Sequence, residues 1–255
     1  MKLTVVRANP AGNITLFVRT SIDKAQYGAV GEKLLALPQF HAEQVGFVCG
    51  ERMEMAGGEF CGNATRAFGL LTARERGLAG KCHLTLSVSG CEKAVGADVD
   101  TDAGTARAEM PLPQFVRRET VGGVSGTLVH LGGIAHFVVD GVAPSEAFFV
   151  EAEPLFLSLG ALDAYGVIFL DDANMKPLVK VPATKAFIWE GSCGSGSLAA
   201  AIAQSEGTDG IFERDYIQPA GTIRVTVERR GGEVTGAYIG GSVTLDKPVE
   251  VEIEL

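Results

Sequence analysis

Hydrophobic and polar positions alternate in short runs along most of the chain, which is the period of a half-buried strand. "LTVVRA" and "NITLFVRT" predict two strands around an Asn-Pro/Gly turn. "SIDKAQYGAVGEKLLAL" has helical spacing, with Ser21 placed to cap it. "EQVGFVC" and "ERMEMA" predict strands, a helix is expected from Gly62 to Arg76, and "CHLTLSVSG", "KAVGADVD" and "GTARAEM" predict three more strands. The stretch "MPLPQF", residues 110–115, carries two prolines and reads as a linker.

The same grammar then repeats. Strands are predicted in "GTLVHLGGIAHFVVDG", a helix in "SEAFFVEAEPLFLSLG", strands in "YGVIFLD" and "LVKVPATKAFIWE", and a helix from Gly194 to Gln204. "TIRVTVERRGGEVTGAYIGGSVTL" predicts a hairpin about a Gly-Gly turn, and "VEVEIEL" a last strand. The fold class expected is α+β: two related halves, each a strand-rich sheet wrapped on a helix. The N-terminal half is expected at residues 1–112, closed by the final strand at 246–255, and the C-terminal half at 113–245.

Each half holds one cysteine in front of a small-residue helix: "EFCGNATRAFGLL" at 59–71 and "EGSCGSGSLAAAI" at 190–202. A helix N-terminus offers unpaired N–H groups and the positive end of the macrodipole, so it favours a bound carboxylate and a thiolate. Cys61 and Cys193 are therefore expected to have lowered pKa values and to flank one α-carbon. There, a thiolate would remove a proton from one face while a thiol returned one to the other. Gly62, Gly194 and Gly196 would let a ligand approach the backbone, and Asn63, Thr65, Ser195 and Ser197 could add side-chain hydrogen bonds or caps. Cys49, Cys82 and Cys91 lack a Gly-rich helix start and are assigned to core or surface.

Net charge and cysteine count narrow the partners. A charge of −9 gives no basic footprint for nucleic acid and none for an anionic membrane. No apolar run reaches the length of a span, and the N-terminus lacks a signal-peptide core. Five irregularly spaced cysteines do not form a secreted disulfide framework, and no pairing suggests zinc, so a cytoplasmic protein with reduced thiols and no metal is expected.

"EFCGNATRA" and "SCGSGSLAA" resemble the two catalytic-cysteine motifs of diaminopimelate epimerase and related amino-acid racemases that work without pyridoxal phosphate. The resemblance covers most of the chain. It implies two pseudo-symmetric halves, each a barrel-like sheet around a central helix, with no cofactor and a small-molecule amino-acid substrate. It assigns Cys61 and Cys193 as the acid/base pair, Gly62, Asn63, Gly194 and Ser195 as the carboxylate cradle, and Asn13 and Gln44 as substrate-facing residues. His136 matches the family's Gly-Asn-Pro-His segment and is expected to be structural. A homodimer is compatible with the resemblance.

Departures from the epimerase pattern point to another substrate. The Glu-Arg pair that grips a distal carboxylate is missing, with Thr184 and Lys185 at the corresponding distance, and Ile134 stands where the family has Asn. "AGGEFCGNA" with "WEGSCGSGS" resembles the histidine racemases that feed opine-metallophore synthesis. Glu59, Lys185, Trp189 and Glu190 are the candidates for reading the side chain. The alternatives are diaminopimelate epimerase, a proline or hydroxyproline epimerase, and a non-catalytic amino-acid-binding protein.

Overall fold

A computed structural model describes residues 1–255, apart from the side chain of Thr184. In chain order the strands and helices are β1 (Lys2–Asn9), β2 (Thr15–Val18), α1 (Tyr27–Leu35), β3 (Gln44–Cys49), β4 (Arg52–Met55), α2 (Gly62–Glu75), β5 (Lys81–Val88), β6 (Val95–Asp100) and β7 (Thr105–Glu109). There follow β8 (Phe115–Val121), β9 (Val124–His130), β10 (Ile134–Asp140), α3 (Glu146–Leu157), β11 (Ala164–Asp171), β12 (Asn174–Val181), β13 (Ala186–Trp189) and α4 (Gly194–Gln204). The chain ends with β14 (Gly210–Gln218), β15 (Gly221–Arg230), β16 (Glu233–Ser242), β17 (Thr244–Leu245) and β18 (Val249–Glu252). Two compact units result: Met1–Glu109 with Gly240–Leu255, and Met110–Ile239.

In the first unit β1 pairs antiparallel with β2, and β2 parallel with β3 across the α1 crossover, with Leu16 opposite Val45. The order continues through β4, β5, β6 and β7, while β17 and β18 pair with the other edge of β1. Gly240 packs on Ala106 and Arg107 of β7 before the chain runs into β17, which brings the sheet round on itself. Helix α2 lies inside it and is buried at every residue from Gly62 to Ala73. A helix buried on all sides must be apolar or have its polar groups satisfied, and α2 is mostly Ala, Gly, Leu and Phe. Its Phe68 meets Phe17 of β2, and full burial of each ring contributes roughly 1.5–3 kcal/mol. Helix α1 covers the opposite face of the sheet with Tyr27, Val30, Gly31 and Leu34, one helical stripe.

The second unit repeats the plan. β9 pairs antiparallel with β10, β10 parallel with β11 across α3, and β11 antiparallel with β12. α4 packs against β9, β10, β11, β14 and β15 and is buried from Gly196 to Ile202. α3 takes the outer position of α1, burying Phe149, Ala152 and Phe156. Each unit is thus a strand-rich sheet around one central helix.

One local expectation is corrected, and two strands went unpredicted. Ser21 caps nothing: Asp23 accepts from the Ala25 amide to cap a 3-10 turn, and α1 starts only at Tyr27. Strands β8 and β14 carry no apolar alternation strong enough to announce them. β14 reads "GIFERDYIQ" and buries only Tyr216 and Gln218, its charges facing out. Its ladder with β15 supplies the order that its side chains do not.

Candidate active site

Cys61 is the N-cap of α2, with extended backbone at φ −130° and ψ 112°. The oxygen of Ser or Asp usually fills this role. Here the Cys61 sulfur does so, accepting the Ala64 amide at 3.4 Å. The Thr65 hydroxyl returns a bond to the Cys61 carbonyl at 2.8 Å. The Cys61 thiol donates to Gln44 Oε1 at 3.1 Å. A row of side chains leads away from this point. Arg66 Nε donates to Asn63 Oδ1 at 3.1 Å, Asn63 Nδ2 to Asn13 Oδ1 at 3.3 Å, and Asn13 Nδ2 to Glu43 Oε2 at 2.7 Å. Cys61, Gln44, Asn63 and Asn13, all expected at the substrate, therefore meet within one unit, with Gly62 as the first helical residue.

Cys193 is the N-cap of α4 in nearly the same conformation, φ −107° and ψ 110°, and its sulfur accepts the Gly196 amide, again at 3.4 Å. The Ser197 hydroxyl bonds the Cys193 carbonyl at 2.7 Å, as Thr65 does for Cys61. The Cys-Gly-x-x-[Ser/Thr] echo in the sequence thus encodes one capping geometry used twice. Gln218 accepts the Cys193 amide at 2.7 Å and donates to Ser197 at 3.0 Å. Ser195 Oγ stands 3.6 Å from the Cys193 sulfur and 2.9 Å from His136 Nε2. Gly194 begins the helix between the cysteine and this serine. Gly196 answers to internal packing: a Cβ there would stand 2.7 Å from Ile168 Cδ1 and 3.1 Å from the Cys193 sulfur.

The expected direction of the thiol pKa values is overturned. Burial pushes Cys61 up to about 11, against the Ala64 and Gln44 hydrogen bonds that pull it down, and the Glu59 carboxylate adds to the rise. Burial also pushes Cys193 well up, reinforced by the charge and hydrogen bond of the Glu190 carboxylate. Removing a thiolate from water outweighs what the first amides of a helix return. His136 is buried and pushed down to about 4 by desolvation, so its imidazole is neutral where it meets Ser195.

The side-chain readers divide. Glu59 and Glu190 both act on the sulfur in their own unit. Lys185 is exposed in a left-handed turn at φ 56°. Trp189 sits on β13 with its ring 5.9 Å from Phe169, which also meets Phe148 of α3, so its contact lies on the α3 side of the sheet. The side chain of Thr184 lies outside the described residues. Arg66, Glu43 and Gln218 went unnoticed in the sequence. Arg66 had a signal, a cation one turn into a small-residue helix and far from its charged C-terminal end, whereas Gln218 reaches in from β14 with none. Among the described residues no group of three or more His, Cys, Asp or Glu could hold a metal, and no helix is long and apolar enough to cross a membrane.

The family model described as the histidine racemase CntK N-terminal domain matches residues 2–247. A histidine racemase of Fusobacterium nucleatum subsp. nucleatum is 29% identical, covering 99% of this chain and 95% of that protein. One of Staphylococcus aureus strain Mu50 is 27% identical over 87% of each. Among solved structures, a predicted epimerase of Pseudomonas aeruginosa superposes with a TM-score of 0.70 over 100% of both chains at 14% identity. A hydroxyproline epimerase of Agrobacterium vitis with bound trans-4-hydroxy-L-proline has a TM-score of 0.65, covering 98% of this chain and 92% of that one, at 11% identity. At these identities the structural matches speak to the fold.

Proposed function

The chain belongs to the histidine racemase family whose model spans residues 2–247, and from that premise we propose that it interconverts L- and D-histidine with Cys61 and Cys193 as its acid/base pair. The observation that carries the reading is the duplicated cap: each unit sets one cysteine sulfur 3.4 Å from the third amide of its central helix. One sulfur, as thiolate, takes the α-proton from one face of the substrate. The other, as thiol, gives its proton to the opposite face. One proton is shared by the two sulfurs before and after turnover, and nothing is oxidised or reduced. The same pair run in reverse handles the other enantiomer.

The α-proton is a weak acid, so a strong base is needed, and the burial that raises both thiols supplies basicity at the cost of thiolate population. Charge moves into the substrate carboxylate as the proton leaves. The amides at Gly62, Asn63, Gly194 and Ser195 are the proposed cradle that stabilises it. Glu59 and Glu190 are the proposed partners for the ammonium or the imidazole. Trp189, with its ring against Phe169, and exposed Lys185 are the weaker candidates for this role.

Incubation in heavy water with a panel of L- and D-amino acids tests the reading. Deuterium is expected at the α-carbon of histidine. Exchange confined to diaminopimelate, or to proline and hydroxyproline, would reassign the substrate within the same chemistry. Binding of an amino acid with no exchange would replace the enzyme with a carrier.

A further inference from the structure

Arg66 is the largest fully buried side chain, at 0% exposure, one turn into α2. A charge so placed is ordinarily paired with a carboxylate. Arg66 instead donates Nε to Asn63 Oδ1 and Nη1 to the Ser242 carbonyl at 3.0 Å, while Nη2 has no hydrogen-bond partner among the described residues. A buried cation held only by neutral acceptors is a standing electrostatic cost, and it is offset by an anion arriving nearby. In α4 the corresponding fifth residue after the cysteine is Leu198, so the second unit has no such cation on its helix.

We propose that Arg66 is a positioning residue of the Cys61 site, fixing the Asn63 amide and favouring the anionic form of Cys61 over that of Cys193. This rests on the reading of Cys61 as an acid/base group. Because Arg66 can only donate, Asn63 must turn its oxygen inward and its Nδ2 towards Asn13. That in turn directs Asn13 Nδ2 to Glu43, and one cation thereby sets the orientation of two amides. Arg66 feels the charge of Cys61 in turn, and the Glu59 carboxylate, which raises the Cys61 thiol, pulls the other way.

Charged groups on the strands packed against α2 are engaged elsewhere. On β5, β6 and β7, His83 and Arg107 both bond Asp98, Asp100 accepts the Asp102 and Ala103 amides, Glu109 accepts the Gly96 amide, and Lys81 is exposed. β17 carries no charge, and on β4 Glu54 is paired with Lys24 and Arg52. Neutral substitution of Arg66 therefore leaves Glu59 unopposed.

The test reads the pH dependence of Cys61 alkylation by iodoacetamide, resolved by peptide mass spectrometry, which requires no turnover. Arg66→Gln is expected to move the midpoint up by about one unit, an approximately tenfold slower reaction at a fixed pH below both midpoints. Arg66→Lys should recover most of that shift while leaving kcat for histidine low, because an ammonium restores the charge without the planar fork. In case Arg66→Gln does not fold, the wild-type protein with isotope-labelled arginine supplies a second readout. The Arg66 Nε–H resonance should titrate with the Cys61 midpoint and cease to do so in Cys61→Ala. A folded Arg66→Gln with an unchanged alkylation profile, or an Nε–H resonance indifferent to Cys61, would overturn the proposal. A shifted profile in a protein that exchanges no amino acid would instead retain Arg66 and reject the racemase reading.

Discussion

The two cysteine sites share a cap and differ in what lies behind it. Behind Cys61 stands a charged row, Arg66–Asn63–Asn13–Glu43; behind Cys193 stands a neutral one, Ser195–His136. The third residue of β2 is the buried Phe17, and the third residue of β10 is the buried His136. Five residues after the cysteine come Arg66 in one helix and Leu198 in the other. At these two matched positions each unit buries a polar residue where the other has an apolar one: Arg66 on the helix of the first against Leu198, and His136 on the sheet of the second against Phe17. On the proposed mechanism the two sulfurs do the same chemistry, and nothing in it requires their supports to match.

The largest effect expected comes from removing either sulfur. Cys61→Ala and Cys193→Ala should each slow α-deuterium exchange by about 100-fold or more, with urea midpoints close to wild type. Near-normal exchange in one variant would break the equivalence of the two sites.

His136 provides a pH signature confined to the second unit. Its folded pKa of about 4 lies below the ordinary value of 6.5, so between those values the unfolded chain takes up a proton that the folded one refuses. Stability is full above the upper value and falls as pH drops towards the lower, by up to ~3 kcal/mol. Urea unfolding at several pH values should show the loss, and His136→Phe, which copies the residue type of Phe17, should remove most of it, leaving the smaller contribution of His130, which burial also lowers.

Packing at the third helical residue sharpens the contrast further. Gly196→Ala should destabilise by about 1–3 kcal/mol, because Ile168 and the Cys193 sulfur already fill the space. Ala64→Gly, at the equivalent place in the first unit, should cost only about 1 kcal/mol through backbone entropy. The smallest expected difference is between the glutamines. Gln218→Ala leaves the buried Cys193 amide without its acceptor and should cost about 1–3 kcal/mol, whereas Gln44→Ala frees a half-buried thiol and should cost about 1 kcal/mol. Equal losses would mean that the two thiols are held alike.

Much of the fold was legible because its signals are local. Helix α4 was expected at Gly194–Gln204 and is found there, and α3 follows its apolar spacing from a Ser145 cap. Strand β14 was illegible because it is held by its ladder with β15, and Asp23 displaced Ser21 as a cap because the chain tightens into a 3-10 turn first. Within the site, the residues near the cysteines in sequence could be named, as could Asn13 and Gln44 by resemblance.

The sequence by itself determined the two Cys-Gly helix starts, since a cap is a matter of three or four consecutive residues whose hydrogen bonds close on themselves. Only the tertiary structure decided what those caps experience. Burial turned both thiols towards weaker acidity, brought Gln218 from a distant strand, set Trp189 on the α3 side, and enclosed Arg66 without a carboxylate. Desolvation and long-range pairing depend on everything that surrounds a group, and no window of sequence contains its surroundings.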